Sequence, residues 1–444
     1  MYNRLIENLL LPMGDFLFKS QYISSLKFLR NLVQQDEQYL ENYQKDKLKE
    51  ILTHATKNAA YYSSKKIDWD SDPSIWIKNF PILDKLKLKN NMLDLLTEDK
   101  SQLIKYSSSG SSGIHSEVYV NKEEQSLFRA TQTLWWEWAG FRLGSPILQT
   151  GLASARTFEK SLKDFLLRTY YLFAFSISPA QAKAAFEWSQ SKKPFLGGYA
   201  SSLYVLATLA KEQGVKVKFK SAITWGDKLF AHYKTEIEEV FDCKVYETYG
   251  ANEGLMLASQ KDLDYMYIMS PCVYLEILND QGEEVQDGEM GHVVVTSLIA
   301  KSMPLIRYKL GDLAIKLPKS KYPADRDLKL PILEKVVGRE TDLVLTPNGH
   351  KMIVHSFTGI FNKYPSILQF CVIQSELEKI EIQYIPTDEF QKDHLIQIET
   401  KILDFLKDDL KIDFKEVDFI PPTKSGKPQI IISELIKGKQ AFSN

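Results

Sequence analysis

The stretch that decides the fold runs from Lys193 to Val245, KPFLGGYASSLYVLATLAKEQGVKVKFKSAITWGDKLFAHYKTEIEEVFDCKV. Ala200–Gln213 reads as a helix, and Gly214 stops it, because glycine tolerates the left-handed backbone that ends helices. Val215–Phe219 and Ala222–Trp225 read as strands. Lys228–Phe241 reads as the next helix. Alternation of this kind predicts an α/β layer on a largely parallel sheet.

Toward the N-terminus, residues 1 to about 65 read as helical. Within Gln44–Ala55 the residues Leu48, Ile51, Leu52 and Ala55 fall on one face, with charge opposite, which predicts a packed surface helix. The run Leu5–Phe18 is apolar but broken by Glu7, Pro12 and Asp15, so it does not read as a membrane span; a membrane-surface role for this first helix stays open. The N-terminus shows no signal-peptide pattern. A second helix is expected over Lys122–Trp138, where Glu123, Glu124 and Gln125 suit a first turn. Beyond Gly250 strands dominate: Cys272–Leu278, His292–Ser297 and Leu313–Lys316, with turn signals at Gln281-Gly282 and Asp287-Gly288. A small second lobe is expected from near Gly338.

The 444 residues carry 56 Lys plus Arg against 57 Asp plus Glu, a formal net charge of −1. No basic excess marks a general nucleic-acid binder. Cys243, Cys272 and Cys371 are far apart and form no CxxC pair, which argues against a disulfide framework or a cysteine-rich zinc site. Reduced thiols and a cytoplasmic location are the simplest expectation.

Five segments carry candidate chemistry. Tyr106-Ser-Ser-Ser-Gly-Ser-Ser-Gly113 lies between expected strands at Gln102–Tyr106 and Glu117–Val120. Its glycines allow amides to converge on an anion, and its serine hydroxyls add donors. A flexible surface loop would have the same composition. No Lys follows the second glycine, so it is not the GxxxxGK[ST] loop. Tyr246-Glu-Thr-Tyr-Gly-Ala-Asn-Glu-Gly254 sets an aromatic beside glycine, then a polar residue and a carboxylate. That order suits stacking on a base and holding a hard cation, although a turn with an incidental Glu would read alike.

Leu305-Ile-Arg-Tyr-Lys-Leu-Gly-Asp312 places an Asp after a strand and a glycine, where it can accept from two adjacent hydroxyls or simply close a turn. Val337-Gly-Arg-Glu-Thr-Asp342 has the glycine and charges of a hinge, or of a capped turn with surface ion pairs. Pro421-Pro-Thr-Lys-Ser-Gly-Lys-Pro428 puts Lys427 on a loop from which it can reach a phosphate or remain solvated.

Taken in order, these segments resemble the adenylate-forming enzyme superfamily, most closely the phenylacetate–CoA ligase family and its capsule-biosynthesis (CapK-like) branch. Leu48–Tyr62, Phe80-Pro-Ile-Leu-Asp-Lys85 and Gly197-Gly-Tyr-Ala-Ser-Ser-Leu203 add to the likeness, which covers nearly the whole chain. The resemblance implies a large multi-layer N-terminal lobe over residues 1–337, binding ATP and the acid. It implies a small mobile α+β C-terminal lobe over 338–444 carrying a catalytic Lys. Ser108, Ser109, Gly110, Ser111, Ser112 and Gly113 would wrap the β- and γ-phosphates. Gly226 and Asp227 would flank the adenine, Tyr249, with Gly250 and Asn252 beside it, would stack on it, and Glu253 would help hold Mg²⁺. Asp312 would bind the ribose, with Arg339 nearby. Lys427 would bridge the acid's carboxylate and the α-phosphate.

The sequence departs from the family pattern in two places. The phosphate loop commonly continues Gly-x-Pro with Lys at x, whereas Ile114 and His115 stand here. The hinge usually has two adjacent acids, whereas here it has Thr341 and Asp342, either of which could be the pivot. The zinc-binding cysteines of some relatives are absent. The acyl pocket is expected between the β-rich part and the helix at 123–138, with Trp135, Trp136, Phe141, Trp225 and Tyr246 as candidate walls.

The implied reaction is ATP-dependent activation of a small carboxylic acid, then acyl transfer to CoA. An amine, amino sugar or carrier protein is the alternative acceptor, as in surface-polysaccharide or secondary-metabolite biosynthesis. A non-catalytic nucleotide-binding relative and a kinase are readings of other classes. The acid and the oligomeric state are not legible.

Overall fold

The computed structural model describes residues 2–67, 69, 73–107, 117–153, 156–174, 177–339, 343–347, 351–353, 357, 360–361, 363–364, 366–406, 410–421 and 430–435. The N-terminal third is helical, with Tyr22–Leu32, Glu37–Asn58 and Lys122–Trp138 as its long members. Leu48, Ile51, Leu52 and Ala55 are fully buried, as their spacing predicts. Asp36 caps the second helix through the Tyr39 amide, and Asn121 with Glu124 forms a capping box on the third, each satisfying N–H groups that a helix start leaves open. The strands β1 (Ile104–Ser107) and β2 (Glu117–Val120) form an antiparallel hairpin.

The strands that follow are β3 (Ile147–Gly151), β4 (Thr169–Phe173), β5 (Phe195–Tyr199), β6 (Ala222–Trp225) and β7 (Val245–Ala251). Helices Phe158–Leu166, Pro179–Lys192, Ala200–Glu212 and Ala231–Phe241 connect or flank them, and pairing is parallel throughout, in the order β4-β3-β5-β6-β7. Crossover helices force parallel pairing and cover the sheet. The next strands are β8 (Leu255–Ser259), β9 (Met266–Ile268), β10 (Val273–Leu278), β11 (Met290–Ser297), β12 (Tyr308–Lys316) and β13 (Ile332–Arg339). They extend the same sheet antiparallel from β7, as β8-β9-β13-β12-β11-β10, to eleven strands in all. Gly282 and Gly288 take positive φ in the turns, as the Gln-Gly and Asp-Gly pairs predict.

Three readings need correction. Val215–Phe219 is not a strand. Val217 and Phe219 are buried, but the segment's backbone bonds go to helix ends and not to a neighbouring strand: Val215 N–H to the Ala210 carbonyl and Phe219 N–H to that of Phe241. The helix expected from Lys228 starts only at Ala231: Lys228 reaches the Val337 carbonyl of β13 in the large sheet, and Phe230 packs against the C-terminal core. Asp312 does not follow a strand. It lies inside β12, where Gly311 takes φ +80° and the pairing with β11 steps from Lys309–Val294 to Leu313–His292; the glycine makes a bulge and the strand continues.

A smaller C-terminal domain holds β14 (Leu343–Leu345), β15 (Lys351–Ile353) and a sheet of β16 (Ile367–Glu376), β17 (Lys379–Pro386), β18 (Lys411–Glu416) and β19 (Ile431–Ser433), ordered β18-β17-β16-β19. The helix Asp393–Leu406 packs on it through Ile398 and Ile402, forming a core separate from that of the large sheet. Phe230 packs onto this second core, and Lys228 Nζ donates to the Val337 carbonyl at 2.5 Å. No helix among the described residues is long and apolar enough to cross a membrane. All three cysteines are free, and burial pushes each thiol up to about 12, so they are poor nucleophiles.

Candidate active site

Of the expected residues, Tyr249 and Glu253 at the end of β7 meet β12 through Asp312 and Tyr308, and Gly226 and Asp227 follow the neighbouring β6. Adjacent parallel strands such as β6 and β7 release their connecting loops on one edge, the usual location of ligand sites in such sheets. Tyr249, on β7 and 9% exposed, donates its hydroxyl to Asp312 Oδ2 at 2.9 Å. Asp312 pairs with Arg339 of β13, of which only the backbone is described. Glu253, in the turn after β7, is buried, and Tyr308 of β12 donates to its Oε1 at 2.8 Å. Oε2 accepts no hydrogen bond among the described residues. A buried carboxylate with one oxygen anchored and the other open suits a hard cation. No group of three or more possible metal ligands occurs among the described residues.

Gly254, closing this turn, has φ +81°, and a Cβ there would meet the Phe128 ring at 2.8 Å. Phe128 also makes an edge contact with Tyr106 at 6.4 Å between centroids. The hairpin that carries the serine-rich loop thus starts beside the Glu253 turn, with Ser107 opposite Glu117 at its last described pair. Ser108, Ser109, Gly110, Ser111, Ser112, Gly113, Ile114 and His115 lie outside the described residues, as do Thr341, Asp342 and Lys427.

Gly226 follows β6 with φ +80°, and a Cβ would stand 2.3 Å from the Tyr199 ring. Asp227 accepts from the Ala200 amide at 2.6 Å, the Ser201 amide at 3.2 Å and the Ser201 hydroxyl. It therefore caps the helix Ala200–Glu212, whose own N-cap residue, Tyr199, supplies no side-chain bond. Gly250 and Asn252 sit on the β7 end and in the turn after it.

The proposed pocket walls divide. Trp136 and Trp225 stack at 5.5 Å and 17°, with Phe141 edge-on to Trp136 at 5.5 Å. Trp135 is buried on another side of the helix, and its indole N–H has no acceptor among the described residues. Tyr246 lies apart on β7 under the Lys244 ammonium. Three residues had no role in the sequence reading. Tyr308 anchors Glu253 across 55 residues of chain, a separation that leaves no local pattern. Lys228 holds the Val337 carbonyl. Glu247, one residue before Thr248 on β7, is closely surrounded although part of its surface is open. Burial pushes its carboxyl up to about 7, against the opposing pull of Lys228 and Lys234.

The CapK C-terminal domain family matches residues 344–434. The chain is 21% identical to Protein CapK of Staphylococcus aureus over 459 aligned positions, 97% of each chain. Phenylacetate-coenzyme A ligase of Pseudomonas putida is 29% identical over 126 residues, 27% of this chain and 26% of that one. Among solved structures, 2-hydroxyisobutyryl-CoA ligase in the postadenylation state with R3-HIB-AMP superposes with TM-score 0.70 at 17% identity, covering 93% of each chain. ATP-bound MatB from Rhodopseudomonas palustris gives 0.57 at 16%, covering 75% of this chain and 68% of that one. The chain therefore has the fold of the adenylate-forming acid–CoA ligases, matches the CapK C-terminal domain over residues 344–434, and is similar to CapK over 97% of its length.

Proposed function

We propose that the chain is an AMP-forming ligase that activates a carboxylic acid with ATP and passes the acyl group to CoA. The observation that carries this is the pair of bonds Tyr249–Asp312 and Tyr308–Glu253, which join two motifs far apart in sequence at one sheet edge. In the first step a carboxylate oxygen attacks the α-phosphorus in line, the bond to the β-phosphate bridging oxygen breaks, and pyrophosphate leaves. In the second a thiol sulfur attacks the acyl carbonyl, the mixed-anhydride bond breaks and AMP leaves. Neither step needs a protein nucleophile. The chain supplies position and charge compensation.

In this reading Asp312 holds the ribose hydroxyls, with Arg339 nearby. Tyr249 both buttresses Asp312 and borders the base. The serine-rich loop, Ser108 to Gly113, contacts the outer phosphates. Glu253 would hold Mg²⁺, which supplies charge neutralisation on the phosphates. Residues 1–337 form the nucleotide-binding lobe. Residues 338–444 pivot at Thr341 or Asp342 and bring Lys427 to the α-phosphate. The stacked Trp136–Trp225 pair with Phe141 supports an apolar or aromatic acid. The protein works in the cytoplasm.

The full-length likeness to CapK favours a second acceptor class, an amine, amino sugar or carrier protein in surface-polysaccharide synthesis. Exchange of labelled pyrophosphate into ATP across a panel of acids tests the first step. No exchange with any acid, or ADP in place of AMP, refutes it. Presenting CoA, amino sugars and carrier protein to the competent acid then distinguishes the acceptors. Lys427→Ala should abolish exchange yet spare transfer from a synthetic adenylate, and equal loss of both would end that division of labour.

A further inference from the structure

Two helices turn their apolar stripes to solvent. The continuous helical run Tyr2–Phe18, about 25 Å long, exposes Leu5, Leu9, Met13, Phe16 and Phe18. Leu5, Leu9, Met13 and the likewise exposed Leu17 recur every four residues, close to the period of one helix face, and Phe16 and Phe18 widen the stripe at its end. The helix Phe158–Leu166 exposes Phe158, Leu162, Phe165 and Leu166, again one stripe, and buries no residue at all. The exposure is large where it counts: Phe16 is 84% and Phe158 83% accessible. The start of the first helix meets the end of the second, where Tyr2 Oη donates to the Leu166 carbonyl at 2.6 Å and the Arg168 guanidinium stands 5.4 Å from the Tyr2 ring. Lys122 Nζ donates to the Phe18 carbonyl at 3.1 Å and fixes the other end. The patch is therefore held on the body of the protein.

Charge decides what covers it. Of the four acids in these two helices, three are engaged within the chain. Glu7 pairs with Arg30 at 2.5 Å. Asp15 accepts from the Ser20 hydroxyl at 2.6 Å and the Ile23 amide at 2.8 Å. Asp164 takes two bonds from Arg156 at 2.8 Å. Glu159 is the exposed acid, whereas Arg4, Lys19 and Lys160 are exposed cations; Lys163 also reaches the surface, with its ammonium pKa lowered by burial and by Arg129. Aromatic and aliphatic stripes rimmed by Lys and Arg match an interface of acyl chains beneath anionic headgroups.

We propose that this face seats the protein on an anionic lipid surface, with the two stripes entering the headgroup–acyl boundary and the cations contacting phosphates. The proposal uses none of the residues of the nucleotide site and stands independently of the proposed reaction. The test is cosedimentation of the full chain with vesicles of phosphatidylcholine mixed with phosphatidylglycerol, against vesicles of phosphatidylcholine alone, at low and high salt.

Binding should favour the mixed vesicles and weaken with salt. It should fall about tenfold or more in the double variants Phe16→Ser/Phe18→Ser and Phe158→Ser/Phe165→Ser. Lys160→Glu/Lys163→Glu should weaken it while leaving the stripes intact. Circular dichroism and thermal unfolding, unchanged in these surface variants, exclude misfolding as the cause. No binding, equal binding to neutral vesicles, or binding indifferent to the Phe substitutions would overturn the proposal. So would light scattering that shows a dimer split by the same substitutions, since a second copy would then cover the face.

Discussion

Asp227 and Glu253 follow neighbouring strands, β6 and β7, and both have the look of nucleotide ligands in the sequence. Their carboxylates are used differently. Asp227 accepts from the Ala200 and Ser201 amides and the Ser201 hydroxyl and completes a helix start that lacks its own cap. Among the described residues Glu253 accepts through Oε1 alone, from Tyr308. A carboxylate bonded by two amides and a hydroxyl is positioned to hold a helix, whereas a buried one anchored through one oxygen can offer the other to a ligand. The contrast gives each residue a separate signature in activity and stability.

Glu253→Gln should have the largest effect. Loss of the negative charge should slow adenylate formation about 100-fold or more while the melting temperature stays near that of the parent, because the amide can still accept from Tyr308. Pyrophosphate exchange at saturating ATP reads the first effect, and thermal unfolding reads the second. Near-parental exchange would remove Glu253 from the reaction.

Tyr308→Phe comes next. Without its hydroxyl the Glu253 carboxylate loses its anchor, and activity should fall about 10-fold or more, in the range for groups that orient a ligand-bearing side chain. Combining it with Glu253→Gln should cost little beyond Glu253→Gln alone, since the hydroxyl acts through that carboxylate. Additive losses would show that Tyr308 acts elsewhere.

Asp227→Ala should reverse the pattern. Removal of a helix cap costs about 1–2 kcal/mol, so stability should drop measurably, with exchange at low temperature reduced far less than in Glu253→Gln. A large loss of ATP affinity with unchanged stability would instead return Asp227 to the adenine.

The same comparison shows what the sequence makes legible. Helices with local signals are read well: Ala200–Glu212 ends near Gly214, and the buried face of Gln44–Ala55 follows from spacing alone. Strands buried in pairs are read well where β-branched residues cluster, as in β6. Val215–Phe219 misleads because Val and Phe alternate with Lys as in a half-buried strand. Burial beside helix ends produces the same alternation without a ladder. The position of Asp312 inside β12 is hidden because Gly311 reads as a turn when it is a bulge. What binds to Asp227, Glu253 and Tyr249 cannot be read locally at all, since each partner lies 26 to 63 residues away and meets it only once the sheet has formed. The resemblance supplied the candidate residues, and the geometry separates the cap from the open ligand.

Glu247 extends the contrast to a carboxyl with no role in the sequence reading, and its expected effect is the smallest. Burial raises its pKa from 4.5 to about 7, partly offset by Lys228 and Lys234. A raised carboxyl pKa means that the folded state binds the proton more tightly than the unfolded one. Between 4.5 and about 7 the native state holds more protons, so its contribution to stability is fully present below that window, declines as pH rises through it, and stays lost above it. Glu247→Gln, which cannot ionise, should flatten that decline. Because part of its surface meets solvent, the change in slope should be modest. Unfolding curves for parent and variant at intervals across the window measure it. If both decline in parallel, other groups carry the pH dependence, and Lys228, which already holds the Val337 carbonyl of β13, does not act through the charge of Glu247.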